Sequence, residues 1–170
     1  MERKRIELPD LLSDGKLPFE ARDMLLASGD FPAGRYNAMV VGWGSFGIMW
    51  GRPFVQVVVR PTRYTFEFMN EFETFTLSAY PGGFKKALAI LGTKSGRDGD
   101  KIALAGLHPE TSLAVAAPSF LEADLVVECR KIYWDDLDPE RFLDPRIMGQ
   151  YPARDFHRIY FGEIVAASRG

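Results

Sequence analysis

The chain is poor in the residues that build the commonest catalytic and metal centres. Cys129 is the only cysteine among 170 residues, which excludes an intramolecular disulfide and a thiolate-cluster metal site and makes a reducing cytoplasm the default compartment. His108 and His157 are the only histidines, and neither has a second histidine or cysteine at ligand spacing, so no metal site is expected. A surplus of one charge is missing too. The formal net charge is −2, whereas a binder of nucleic-acid backbone concentrates positive charge, so any anion site here must be local. Long apolar runs are absent: Ala38 to Trp50 is broken by glycines and a serine and falls short of the roughly 20 residues that a membrane helix needs. The basic start, Met1 to Arg5, is followed by Glu7, Pro9 and Asp10, which cannot form the apolar centre of a signal peptide. No G-x-G-x-x-G follows a first strand, so nothing supports a Rossmann domain. Internal repeats and low-complexity segments are also absent.

What is present fits one ordinary globular domain over residues 1–170, with 46% hydrophobic and 26% charged residues. The most informative stretch is Asn37 to Thr65. An apolar run, AMVVGWGSFGIMW, leads through Gly51, Arg52 and Pro53 into a second apolar strand, Phe54 to Val59. That strand meets Arg60-Pro61-Thr62-Arg63-Tyr64-Thr65 where a helical segment, Tyr64 to Phe72, begins. Two arginines and two threonines at such a junction supply what a phosphorylated ligand needs: cationic charge, hydroxyl donors and backbone N–H groups.

Around this stretch the pattern predicts a strand over Ala21 to Ala27, a turn at Ser28-Gly29-Asp30, and a further strand through Met39 to Val41. Gly42, Gly44 and Gly47 mark bulges or close backbone approach within a glycine-rich turn flanked by Trp43 and Trp50. Phe75 to Tyr80 reads as a strand stopped by Pro81-Gly82. Phe84, Leu88 and Leu91 recur at helical spacing, which predicts an amphipathic helix with Gly92 just past its end. A polar loop with three cations follows, from Gly92 to Lys101. Leu125 to Tyr133 and Phe156 to Ala166 are strand-like, joined by an acidic, proline-containing connection. The balance is mainly β with a few helices, favouring a small barrel over a doubly wound sheet.

Each motif has a plainer reading. Gly92 to Arg97 places glycines around Thr-Lys-Ser, but a Walker A loop precedes its helix and this loop follows one. It reads either as a solvated surface loop or as extra cations for the Arg60–Thr65 anion site. His157 sits in an alternating, strand-like segment and is assigned a structural hydrogen bond over a ligand role. Asp135, Asp136 and Asp138 have the composition of a turn and helix start. Cys129 reads as a small buried hydrophobe. Trp43 and Trp50 fit packing and contact with a planar cofactor equally well.

Asn37-Ala38-Met39-Val40-Val41-Gly42-Trp43-Gly44, Met49-Trp50-Gly51-Arg52-Pro53, Val59 to Thr65, Gly92 to Asp98, Glu122-Ala123-Asp124 and His157 to Ile164 occur in that order. Together they resemble the flavin reductase-like, flavoredoxin-type family from about Ala21 to Val165. The resemblance implies an FMN-binding split β-barrel, commonly a homodimer with flavin near the subunit boundary. It implies an isoalloxazine along Asn37, Met39, Val40, Val41, Gly42, Trp43 and Ser45. It implies a phosphate near Arg60, Thr62, Arg63, Tyr64 and Thr65, with Thr93, Lys94, Ser95 and Arg97 closing over it. Family members often carry threonine where this chain has Val40, which removes one hydroxyl contact.

Flavin chemistry would explain the missing catalytic triad, because the cofactor performs the reaction and the protein binds and orients it; His157 would be at most auxiliary. Three functions stay open on the sequence: an NAD(P)H-dependent FMN reductase, a flavoredoxin-like carrier reduced by a redox protein, and a non-enzymatic homodimer with weak or no flavin binding.

Overall fold

The computed structural model describes residues 3–7, 10–11 and 24–170. Residues 21–23 of the expected first strand lie outside them, as do Met1, Glu2, Pro9 and Leu12. The strands are β1 (Lys4–Arg5), β2 (Met24–Asp30), β3 (Arg35–Val41), β4 (Gly44–Met49), β5 (Arg52–Val59), β6 (Thr74–Ala79), β7 (Pro109–Glu110), β8 (Ser119–Phe120), β9 (Leu125–Asp136) and β10 (Arg158–Arg169). Helices α1 (Thr65–Glu71), α2 (Lys85–Thr93) and α3 (Lys101–Leu104) fill two of the connections.

An antiparallel sheet runs β3-β2-β6-β9-β10-β5-β4, with β1 added to β10. Strand β10 organises it: its first half lies between β5 and β9, and its last residues pair with β9 and β1. Register shifts at Phe161/Gly162 and Ile164/Ala166 bend the strand so that it can serve both halves. Met24, Met39, Val55, Phe75, Val127 and Tyr160, one from each of six strands, meet in a single buried cluster. The sheet is therefore curled around a common interior, as in a split barrel. A second cluster lies on its outer face, where Leu25, Ala38 and Val126 are covered by Leu91 of α2, Ile102 of α3, and Leu107 and Phe120 of the following segment.

Several local expectations shift. The turn placed at Ser28-Gly29-Asp30 is strand, and the reversal falls at Phe31 to Gly34. Gly29 pairs with Tyr36 at φ +137°, and a Cβ there would stand 2.3 Å from the Arg35 carbonyl oxygen; a glycine inside a strand imitates a turn signal. The glycine-rich turn between Trp43 and Trp50 is β4. The hairpin turn is Trp50-Gly51, with φ 52° and 70° between paired Met49 and Arg52, the double positive φ of a tight two-residue loop. Gly92 lies inside α2, which ends at Thr93 with Lys94 as its C-cap. Asp138 caps a short 3₁₀ turn, whereas Asp135 and Asp136 complete β9.

Candidate functional site

Two neighbouring cavities gather most of the residues singled out in the sequence. The first, about 140 Å³, lies between the start of α1 and the end of α2. Thr62, Arg63, Tyr64 and Thr65 line one side, and Thr93, Lys94 and Ser95 the other. Lys101 is the eighth lining residue. Its position follows from a helix cap: the Asp100 carboxylate accepts from the N–H groups of Ile102 and Ala103, starting α3. Lys101 then points at the end of α2, where its ammonium donates to the carbonyls of Leu91 and Lys94, each at 3.2 Å. Arg63 donates to the Gly92 carbonyl at 2.9 Å.

A buried lysine and a half-buried arginine thus meet the negative end of one helix. Burial and the nearby Arg63 charge lower the Lys101 pKa to about 8, and burial lowers that of Arg63. Neither cation is used up. Among the described residues, one of three ammonium protons and four of five guanidinium N–H groups remain for a ligand. The hydroxyls of Thr62, Thr65 and Ser95 complete a donor set whose chemistry fits a phosphate.

The second cavity, about 210 Å³, is walled by Met39, Val40, Val41, Gly42 and Trp43 at and just past the end of β3, by Val58 of β5 and Arg60 just after it, and by His157. The cavities adjoin through Val40, which lines this one and sits 3.7 Å from where a Cβ on Gly92 would lie, one residue before Thr93. Its mixed apolar and aromatic walls suit a flat ring.

The structure separates residues that the sequence grouped. Arg60 stands in the ring cavity, apart from Arg63. Its guanidinium donates to Asp155 at 2.7 Å and the Gln150 carbonyl at 2.8 Å, and lies 4.9 Å over the Tyr151 ring. Arg97 is at the rim, paired with Glu67 at 2.5 Å and stacked 4.8 Å over Tyr64. Asn37 is inside the wall, donating to Thr65 Oγ1 at 2.8 Å. Gly96 backs onto it, since a Cβ there would be 2.5 Å from Asn37 Oδ1. Ser45 is on β4, donating to Gln56 at 3.0 Å, and lines neither cavity. Thr93 donates back to the Ala89 carbonyl at 2.7 Å.

His157 is the titratable group of the ring cavity. Its Nδ1 is 2.8 Å from the Tyr151 hydroxyl and its ring 5.1 Å from that of Trp43. Burial and the Arg60 charge push its pKa down to about 4 against the opposing pull of Asp155. The imidazole is neutral at physiological pH. Two residues were missed in the sequence. Lys101 was counted among the three cations of the Gly92–Lys101 loop but not singled out as a site residue, and Tyr151, isolated in a proline-bounded connection, had no signal.

A curled antiparallel sheet with a cationic cavity beside an aromatic one has the architecture of the split-barrel class. The model of the flavin reductase-like domain matches residues 24–170, and the chain belongs to that family. Among solved structures it resembles an FMN-binding domain of a flavin reductases-like enzyme from Shewanella baltica (TM-score 0.74, 17% identity, 99% of this chain and 77% of that one). It also resembles a flavoredoxin from Methanosarcina acetivorans (0.66, 26%, 87% and 68%) and an NADH:FAD oxidoreductase from Streptomyces globisporus (0.67, 16%, 87% and 75%). No curated protein sequence matches the chain.

Proposed function

We propose that the chain binds FMN across the two cavities and works as an NAD(P)H-dependent flavin reductase. The observation that carries this is their adjacency: Arg63, Lys101 and the hydroxyls of Thr62, Thr65 and Ser95 around one, the Met39–Trp43 strand end around the other. The first would take the phosphate and the second the ring. Flavin, when bound, supplies the acceptance and donation of hydride, so the protein needs no acid or base of its own.

The chain's residues do the remaining work. Arg63 and Lys101 neutralise phosphate charge of roughly −1.5 to −2. The apolar wall keeps water from the ring, and Trp43, half-exposed at 49%, leaves the cavity a mouth for a flat donor. His157 contributes a neutral polar edge and no proton at physiological pH.

Bleaching of bound FMN by NADH or NADPH under anaerobic conditions is the expected result. A yellow protein inert to both nucleotides would replace this reading with an electron carrier reduced by a redox protein, an alternative favoured by the likeness to flavoredoxin. A colourless protein without FMN affinity would overturn both.

A further inference from the structure

The ring cavity owes the setting of its neutral polar edge, His157, to an arrangement outside it. Tyr151 is buried, at 3% exposure, and its hydroxyl has a single partner among the described residues, His157 Nδ1 at 2.8 Å. A buried phenol O–H that only accepted would leave its own proton without an acceptor. The hydroxyl therefore donates, Nδ1 is the bare nitrogen, and the proton of the neutral ring sits on Nε2. Burial raises the Tyr151 pKa, which keeps the phenol in its donating form.

Tyr151 is held on several sides. Phe142 and Phe156 pack on its ring at 6.0 and 5.0 Å, and the Arg60 guanidinium, tied to Asp155, covers it at 4.9 Å. His157 is fixed from its own backbone, its carbonyl accepting from Leu137 N at 3.0 Å. Two groups thus anchored meet through one hydrogen bond. The other histidine shows the opposite pattern: His108 Nδ1 faces a Glu122 carboxylate oxygen at 2.5 Å, which can only accept, so that ring carries its proton on Nδ1.

We propose that Tyr151 is a positioning residue, which fixes His157 in the tautomer that presents Nε2–H as a neutral donor in the wall of the ring cavity. Resting on the flavin reading, that donor is offered to an acceptor atom, a carbonyl oxygen or ring nitrogen, of the bound ring. A neutral donor retains its proton when charge moves, and so stabilises a more electron-rich ring without consuming a proton.

The test is nitrogen-15 NMR of the 170-residue chain labelled at histidine, at mildly alkaline pH, with His108→Gln to assign the signals. In the wild type, His157 Nδ1 is expected at the shift of a bare nitrogen and Nε2 at that of an N–H, with His108 reversed. In Tyr151→Phe the two His157 signals should move toward each other as the tautomers mix, while His108 is unchanged. A protonated Nδ1 on wild-type His157, or the same shifts in Tyr151→Phe as in wild type, overturns the proposal. The wild-type spectrum decides even if the variant fails to fold. Adding FMN separates the two readings: an Nε2–H signal that stays put while the tautomer is as expected removes the flavin from the cavity and leaves the role of Tyr151 standing.

Discussion

At the scale of residues, the two buried bases of the site answer to pH in different ranges. Lys101 loses its proton at about 8 in the free protein, and an arriving phosphate would raise that value. FMN binding then takes up a proton above pH 8, and affinity falls by at most about tenfold per pH unit there. Below about pH 6 the phosphate loses its second charge. Titration calorimetry should therefore find the tightest FMN binding between roughly pH 6 and 8. Lys101→Met should raise the dissociation constant about tenfold to a hundredfold, the loss of a charged hydrogen bond, and remove the alkaline decline. Riboflavin, lacking the phosphate, should be indifferent to the substitution; an equal effect on both flavins would place Lys101 elsewhere. His157 acts on stability. The unfolded chain takes up this proton near pH 6.5 and the folded chain at about 4, so its contribution is complete above pH 6.5 and is lost as pH falls toward 4. The loss is on the order of 1–2 kcal/mol, less than the full shift because the ring borders a cavity open to water. Urea midpoints at the two ends of that window should converge in His157→Gln.

At the scale of elements, β10 depends on one missing side chain. A Cβ on Gly162 would lie 2.5 Å from the Phe75 ring and 2.8 Å from Cys129 Cβ. Phe75 is fully buried and has nowhere to retreat. Gly162→Ala should cost about 1–3 kcal/mol by overpacking, seen as a lower denaturant midpoint, and a neutral result would mean that β10 can straighten at its bulge. The elements also show what the sequence could yield. A near-continuous apolar run, Phe54 to Val59 on β5, and a plain helical period, Phe84, Leu88 and Leu91 on the α2 segment, were legible because burial alone dictates them, although the inward set of Val55, Val57 and Val59 shows only in the structure. Gly29 misled because a strand glycine forced by close approach has the composition of a turn. Arg60 misled for another reason: two arginines three residues apart leave a strand end in different directions, and Arg60 was claimed by Asp155 from 95 residues away. The short β7–β8 pair, held at Pro109↔Phe120 and Glu110↔Ser119, has too few residues to show any period. Local pattern found the cationic cavity at Thr62–Thr65 and Thr93–Ser95, but Lys101 and Tyr151 join the site only through tertiary contacts.

At the scale of the whole molecule, an aromatic path leads from the ring cavity's side of the barrel to solvent. Trp50 at the hairpin tip is 6.2 Å from Tyr133, Tyr133 is 5.8 Å from Phe161, and Phe161 is 5.5 Å from Phe54. Trp50 and Tyr133 are 63% and 46% exposed, and Ile48 beside them 64%. β4 is also the last strand of the sheet path, so its outer edge has no strand partner among the described residues. An apolar face of this kind on a sheet edge calls for a cover, and a second copy is the simplest one, since a two-fold axis lets the same face meet itself. A stable interface buries about 1,600 Å² in total, which the hairpin tip alone cannot supply; the β4–β5–β10–β9 face would have to take part. Trp43, on the connection between β3 and β4, lines the ring cavity, so a partner docked here would narrow its mouth. We therefore expect a homodimer in light scattering at micromolar concentration. Trp50→Glu should yield a monomer that binds FMN more weakly without touching the phosphate cavity. A wild-type monomer with flavin fully bound would sever the link between assembly and site, and leave the aromatic path to be explained by another partner.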